Sequence, residues 1–309
     1  MEQLHILNGD SIYEAFIAQP IPQSEVAVWR EVLAEGPVHH AVGTPEFWNE
    51  RANFFPTFFE VSASEYTFKA LNEFEKIRRY AKYQSITLWF EYDWFCQINL
   101  MGLLAYFAAQ EGPKPRISLV CIGELTGYEG LVALGEIDSS LFPQLYQERM
   151  LLSRTALSIA AQFWDAYTAG RPEELVPIAR AGRSYFPYLE AAAEAHLRNY
   201  PELRSGLGAI QRQLLTTIAE GTEALRPLIG QALRADQYYG YGDLQYQHYL
   251  KGLQSLLQPG LPLQLNEHGK AVLAASADFQ ANGAPEYHYG GTSTKQIRWD
   301  AQLHQIVRL

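Results

Sequence analysis

Four short apolar runs, at residues 4–8, 26–29, 86–90 and 117–122, are separated by segments whose apolar residues recur every three or four positions. Residues 11–18, 64–83 and 94–110 have that spacing, which is the pattern of helices packed on a sheet. A chain that alternates in this way has few solutions open to it. It predicts an α/β, Rossmann-like N-terminal domain over residues 1–138, with a mainly parallel sheet and ligands held off the carboxyl ends of the strands.

From about Ser139 the strand-like runs stop. The stretches "SRTALSIAAQFWDAYTAG", "EELVPIARAG" and "YLEAAAEAHLRNY" read as successive helices punctuated by Pro172, Pro187 and Pro201, a helical connector over residues 139–203. Residues 208–221 form a further amphipathic segment closed by glycine. The stretch "GDLQYQHYLKGLQSLL" then places Tyr246, Tyr249, Leu250, Leu253 and Leu257 on one face, and Gln245, Gln247, His248, Lys251 and Gln254 on the other. "LPLQLNEHGKAVL" predicts a strand, a turn and a short helix, and "YHYGGTSTKQIRWD" a terminal β pair. Helix, helix, then β ribbon is the order of a winged helix, expected over residues 204–309.

Composition removes several functional classes. With 309 residues and 48% hydrophobic content the chain can bury a large core. The net charge is −10; residues 1–194 hold 14 Lys and Arg against 25 Asp and Glu, a balance of −11, whereas 195–309 hold 10 against 9. No segment is basic enough to coat nucleic acid without sequence preference. Cys96 and Cys121 stand alone, which argues against a disulfide framework or a structural zinc site. A basic segment leading into an apolar signal core is absent from the N-terminal stretch, and no apolar run is long enough to cross a bilayer, so a cytoplasmic location without membrane contact is expected. Neither a GxSxG elbow nor an HExxH pair occurs.

The candidate chemistry lies at the predicted strand ends. Asn8-Gly9-Asp10-Ser11 turns the first strand into a helix. Gly9 leaves room for a ligand beside the backbone, and the first amides of the helix would face an anion. The same residues also read as a plain cap, because Ser11-x-x-Glu14 is a capping box. Asp10, Glu31 with Glu35, Glu91 with Asp93, and Glu124 all fall at carboxyl ends of strands. Carboxylates gathered together require solvent, a basic partner such as Arg30 or Arg51, a shared proton or a cation, and an oxygen-rich set suits Mg²⁺ or Mn²⁺. On this reading Asp10, Glu31, Glu91 and Asp93 are the catalytic carboxylates, Asp10 and Asp93 hold the metal, and Asn8, Gly9, Ser11, Glu35 and Arg51 bind a small anionic ligand. The competing reading makes Asp10 and Asp93 helix caps and leaves the glutamates in water. His5 reads as a core histidine, and adjacent His39 and His40 lack the i, i+4 spacing of a shared metal site. Trp29, Trp89 and Trp94 read as core more readily than as stacking platforms. Gln245, Gln247, His248 and Lys251 are side chains a recognition helix would use on DNA, or else a solvated helix face.

Several stretches resemble a bacterial family known only as domain-of-unknown-function family 1835. They are "HILNGDS", "VWREVLAEGPV", Arg51, "LWFEYDWFCQINL", "RNYPELRSGL" with "QRQLL", and "LNEHGKAVLAASADF", in order along nearly the whole chain. The resemblance implies no activity and no catalytic residues. Where it would place a histidine before the aspartate that ends the third strand, this chain has Glu91-Tyr92-Asp93. Binding of a phosphorylated or nucleotide-like molecule, with Mg²⁺-dependent catalysis, is the expectation. The rival is a regulator that pairs a sensor domain with a DNA- or protein-binding winged helix.

Overall fold

The computed structural model describes residues 2–59, 61–112 and 114–309, with Asn282 by its backbone alone. The four apolar runs are strands β1 (Gln3–Asn8), β2 (Glu25–Trp29), β3 (Ser85–Glu91) and β4 (Arg116–Ile122). They pair in parallel in the order β2-β1-β3-β4, and β5 (Met150–Leu151) adds an antiparallel edge. Helices cover both faces, which is why the strands are apolar throughout instead of alternating. Leu7, Trp89, Val120 and Ile122 pack under α1 (Tyr13–Ile17) and α5 (Phe142–Glu148). Ile6, Leu88, Phe90 and Leu119 point the other way, into the core shared with α2 (Pro45–Phe59), α3 (Ala63–Arg78), α4 (Trp94–Ala109) and α6 (Arg154–Thr168).

α4 is apolar on every side because it is covered on every side: the sheet lies beneath it, and α6 and α8 (Leu189–Arg198) lie against it. Trp94, Leu100, Leu103, Leu104 and Phe107 are buried along it, each contributing about 1.5–3 kcal/mol by removal from water. Past α7 (Leu175–Ala181) come α9 (Ala209–Ala219), α10 (Leu225–Ala235), α11 (Asp243–Gly252) and α12 (Glu267–Leu273). Two hairpins follow, β6 (His288–Tyr289) with β7 (Thr292–Ser293) and β8 (Ile297–Asp300) with β9 (Gln305–Arg308). A single apolar core joins residues from Leu4 to Trp299 and so draws on all three expected segments. Among the described residues, no helix is long and apolar enough to cross a membrane.

Two local expectations are corrected. The capping box of Ser11 and Glu14 does not form: α1 starts at Tyr13, its N-cap is Ile12 with no side-chain bond, and Ser11 is exposed. Backbone closes the corner instead, the Tyr13 amide donating to the Asp10 carbonyl at 3.1 Å, with Gly9 at φ +95°. The polar face expected on α11 also turns partly inward. Gln245 is buried and accepts from the Gly242 amide at 3.1 Å, and His248 stacks on Phe58 of α2 with ring centroids 3.9 Å apart. A helix that spends Gln245 on its own start and His248 on a neighbouring helix has few side chains left to read a base edge.

Candidate functional site

β1 lies between β2 and β3, so the chain leaves its carboxyl end first to one side and later to the other, and a crevice opens at the ends of β1 and β3. Asn8 ends β1 and Glu91 ends β3. Asp93 caps α4, its Oδ1 accepting from the Cys96 amide at 2.8 Å, which fixes Cys96 beside it at the third helical position. The Cys96 thiol reaches Glu91 Oε2 at 3.4 Å and accepts from Asn8 Nδ2 at 2.9 Å. Asn8 is in turn held by Asn99 Nδ2, at 2.9 Å from its Oδ1, and Glu91 Oε1 accepts from the Leu134 amide at 2.6 Å. One ligand atom from each of Glu91, Asp93 and Cys96 lies within 4.8 Å of the others; among the described residues this is the one group of three or more His, Cys, Asp and Glu so close together.

Electrostatics set the protonation of this group. Burial, and then the charge of Glu91, push Asp93 up to about 7, and burial also raises Glu91. Burial and the two carboxylates raise the Cys96 thiol well above its ordinary value. Among the described residues, no basic side chain pairs with the cluster to relieve it. At neutral pH the carboxyl pair is therefore partly protonated, and a divalent cation is the other agent that would satisfy it. A sulfur in the donor set moves the preference from Mg²⁺ toward zinc-like ions.

A segment remote in sequence covers the site. The Trp94 and Phe95 amides donate to the carbonyls of Tyr238 and Tyr239 at 2.6 and 3.0 Å, so the opening turn of α4 is fully bonded. The Asp236 carboxylate gathers the covering loop, accepting from the amides of Tyr238, Tyr239 and Tyr241 and from the Tyr246 hydroxyl. Gly240, at φ +67°, lies so close that a Cβ there would be 2.1 Å from Asp93 Oδ1.

The other expected site residues go elsewhere. Asp10 is exposed and paired twice with Arg30, at 2.7 and 2.8 Å, which holds its carboxyl below the usual range. It is not one of the three residues, Glu91, Asp93 and Cys96, whose ligand atoms lie close together. Arg51 is wholly buried and its guanidinium is consumed: Nε bonds Glu31 at 3.0 Å, and the terminal nitrogens bond the carbonyls of Val32, Glu35 and Pro37. Arg51 therefore clamps the loop after β2. Glu31 also accepts from the Tyr66 hydroxyl, so both of its carboxylate oxygens are held within that clamp.

Glu35 is buried with its Oε1 accepting from Tyr249 at 2.8 Å; Tyr249 meets Tyr289, and Asn199 bonds both hydroxyls. Burial pushes Glu35 up to about 8. Its turn is pinned by the bonds that Gly36 makes with His288 and Gly290. Glu124 is exposed, and His39 and His40 line an open cleft with His288. His5 is a core histidine, bonded by Trp89 Nε1 and pushed down to about 4 by burial.

Cys96 and the loop at residues 236–242 were not foreseen as parts of a site. One signal for Cys96 was present: an aspartate at an N-cap always lies beside the residue three positions on. No family model matches the chain, and no match was found among curated proteins.

Proposed function

We propose that the chain binds a small molecule at the carboxyl edge of its sheet, together with a divalent cation held by Glu91, Asp93 and Cys96. The observation that carries this reading is the close approach of those three ligand atoms, with Asp93 and Cys96 buried and no basic partner among the described residues. The bound cation would supply Lewis acidity, and Asn8, anchored by Asn99, would orient the thiolate. A carboxyl near 7 is matched to proton transfer at neutral pH. The switch in strand order between β1 and β3 supports calling the N-terminal part Rossmann-like, and the C-terminal helices followed by hairpins support the winged-helix comparison. Membership of the unknown-function family and a cytoplasmic location belong to the same reading, the latter supported by two free cysteines.

Thermal unfolding with Zn²⁺, Mn²⁺ and Mg²⁺ tests it, because an ion bound only by the folded state raises stability by about 2.7 kcal/mol at a hundred times its Kd. Zn²⁺ raises the midpoint of the native chain and leaves that of Asp93→Asn unmoved. No rise with any ion, or an equal rise in both proteins, overturns the proposal.

A further inference from the structure

A cleft of about 810 Å³ lies at the opposite edge of the sheet, where β4 begins and α6 starts. Its size is that of a small-molecule site. Its lining is more apolar than polar, with Ile117, Leu151, Leu152 and Leu157 beside Gln110 and Ser158, and the charged side chains on it are Lys114, Arg116 and Arg154. Among the described lining residues there is no aspartate or glutamate, in a region of the chain where acids outnumber bases by 25 to 14. Arg116 and Arg154 are exposed and make no ion pair with any described residue. Lys114 is tethered to the Ala108 carbonyl at the end of α4 at 2.8 Å, which places its charge at the cleft. Arg154 is the first residue of α6, an end where the helix dipole disfavours a cation, so its charge adds to the positive potential there. Arg116 pairs in register with Ser85, at the start of β3, whereas Glu91 is at its end; the cleft is therefore separate from the acid–thiol site.

From this charge pattern over an apolar floor we infer that the cleft binds an amphipathic anion, a carboxylate or phosphate head on an apolar body. The two arginines take the head, and the apolar lining takes the body, chiefly exposed Leu151 over the buried floor of Ile117, Leu152 and Leu157. Each charge-assisted contact to the head is expected to change affinity by about tenfold or more.

Calorimetric titration of the full-length chain with decanoate, decanol and inorganic phosphate tests this, alongside the double variant Arg116→Ala/Arg154→Ala, whose changed side chains are exposed and leave the core intact. Decanoate binds saturably to the native chain, at least about tenfold more tightly than decanol or phosphate, and the double variant loses at least about tenfold in decanoate affinity. Three results overturn it: no decanoate binding, equal binding of decanoate and either comparison compound, or undiminished binding by the double variant.

Discussion

Replacing Glu35 with glutamine should make the protein more stable in mild alkali, although the change falls in a buried hydrogen-bonded network. Glu35 titrates near 8 in the fold, against an ordinary 4.5, chiefly because burial disfavours its charge. Its folded pKa is raised, so the folded state keeps a proton that the unfolded chain has already released. The resulting loss of stability begins near pH 4.5, grows at about 1.4 kcal/mol per pH unit, and is complete above about pH 8, on the order of 5 kcal/mol in all. Glutamine keeps an acceptor for Tyr249 and has no proton to lose. Its added amide takes the place of Oε2, which has no hydrogen-bond partner, at a cost of about 1–3 kcal/mol. Urea titrations followed by tryptophan fluorescence should therefore find Glu35→Gln the less stable protein at pH 5 and the more stable one at pH 9. Parallel stability curves for the two proteins between pH 5 and 9 would refute the claim that Glu35 is held as the neutral acid.

Arg51→Met leaves the Glu31 charge buried and releases the three carbonyls after β2, so a loss of about 3–5 kcal/mol is expected in chemical denaturation; a loss below 1 kcal/mol would contradict the clamp. Gly240→Ala forces a side chain against Asp93 at a positive φ, costing about 1–3 kcal/mol in backbone strain alone. Hydrogen exchange at the Trp94 and Phe95 amides should accelerate as their acceptor carbonyls move off, and unchanged exchange would show that the loop does not seal the helix start. Asp10→Asn breaks only an exposed pair, so stability should change by about 0–1 kcal/mol and Zn²⁺ binding not at all; loss of Zn²⁺ binding would return Asp10 to the site.

The strands were legible because burial on both faces writes itself as unbroken apolar runs, and all four runs fall within strands of the sheet. α2 was not, since Pro56 and the phenylalanines around it break the helical pattern that Arg51 sits in. The roles of the acids depended on partners that the sequence does not bring near one another. Asp10 is neutralised because β1 and β2 pair Asn8 with Trp29, which delivers Arg30 to it, and that register is not visible in either strand alone. Glu35 was expected to bind a ligand or stand in water; it is buried and bonded to Tyr249, 214 residues on, a partner that no local pattern points to. Asp93 showed both of its expected faces, a helix cap that also stands in a carboxylate pair.

The central claim, a cation held by Glu91, Asp93 and Cys96, is tested most directly by titrating the reduced protein with Co²⁺ and recording its near-ultraviolet absorption. A thiolate bound to Co²⁺ produces a sulfur-to-metal charge-transfer band, and because binding must displace protons from Asp93 and Cys96, the apparent affinity should rise between pH 6 and 8. The band is expected to saturate at a single equivalent, to persist in Cys121→Ser and to disappear in Cys96→Ser. Absence of the band in the native chain, or its survival in Cys96→Ser, would contradict the site.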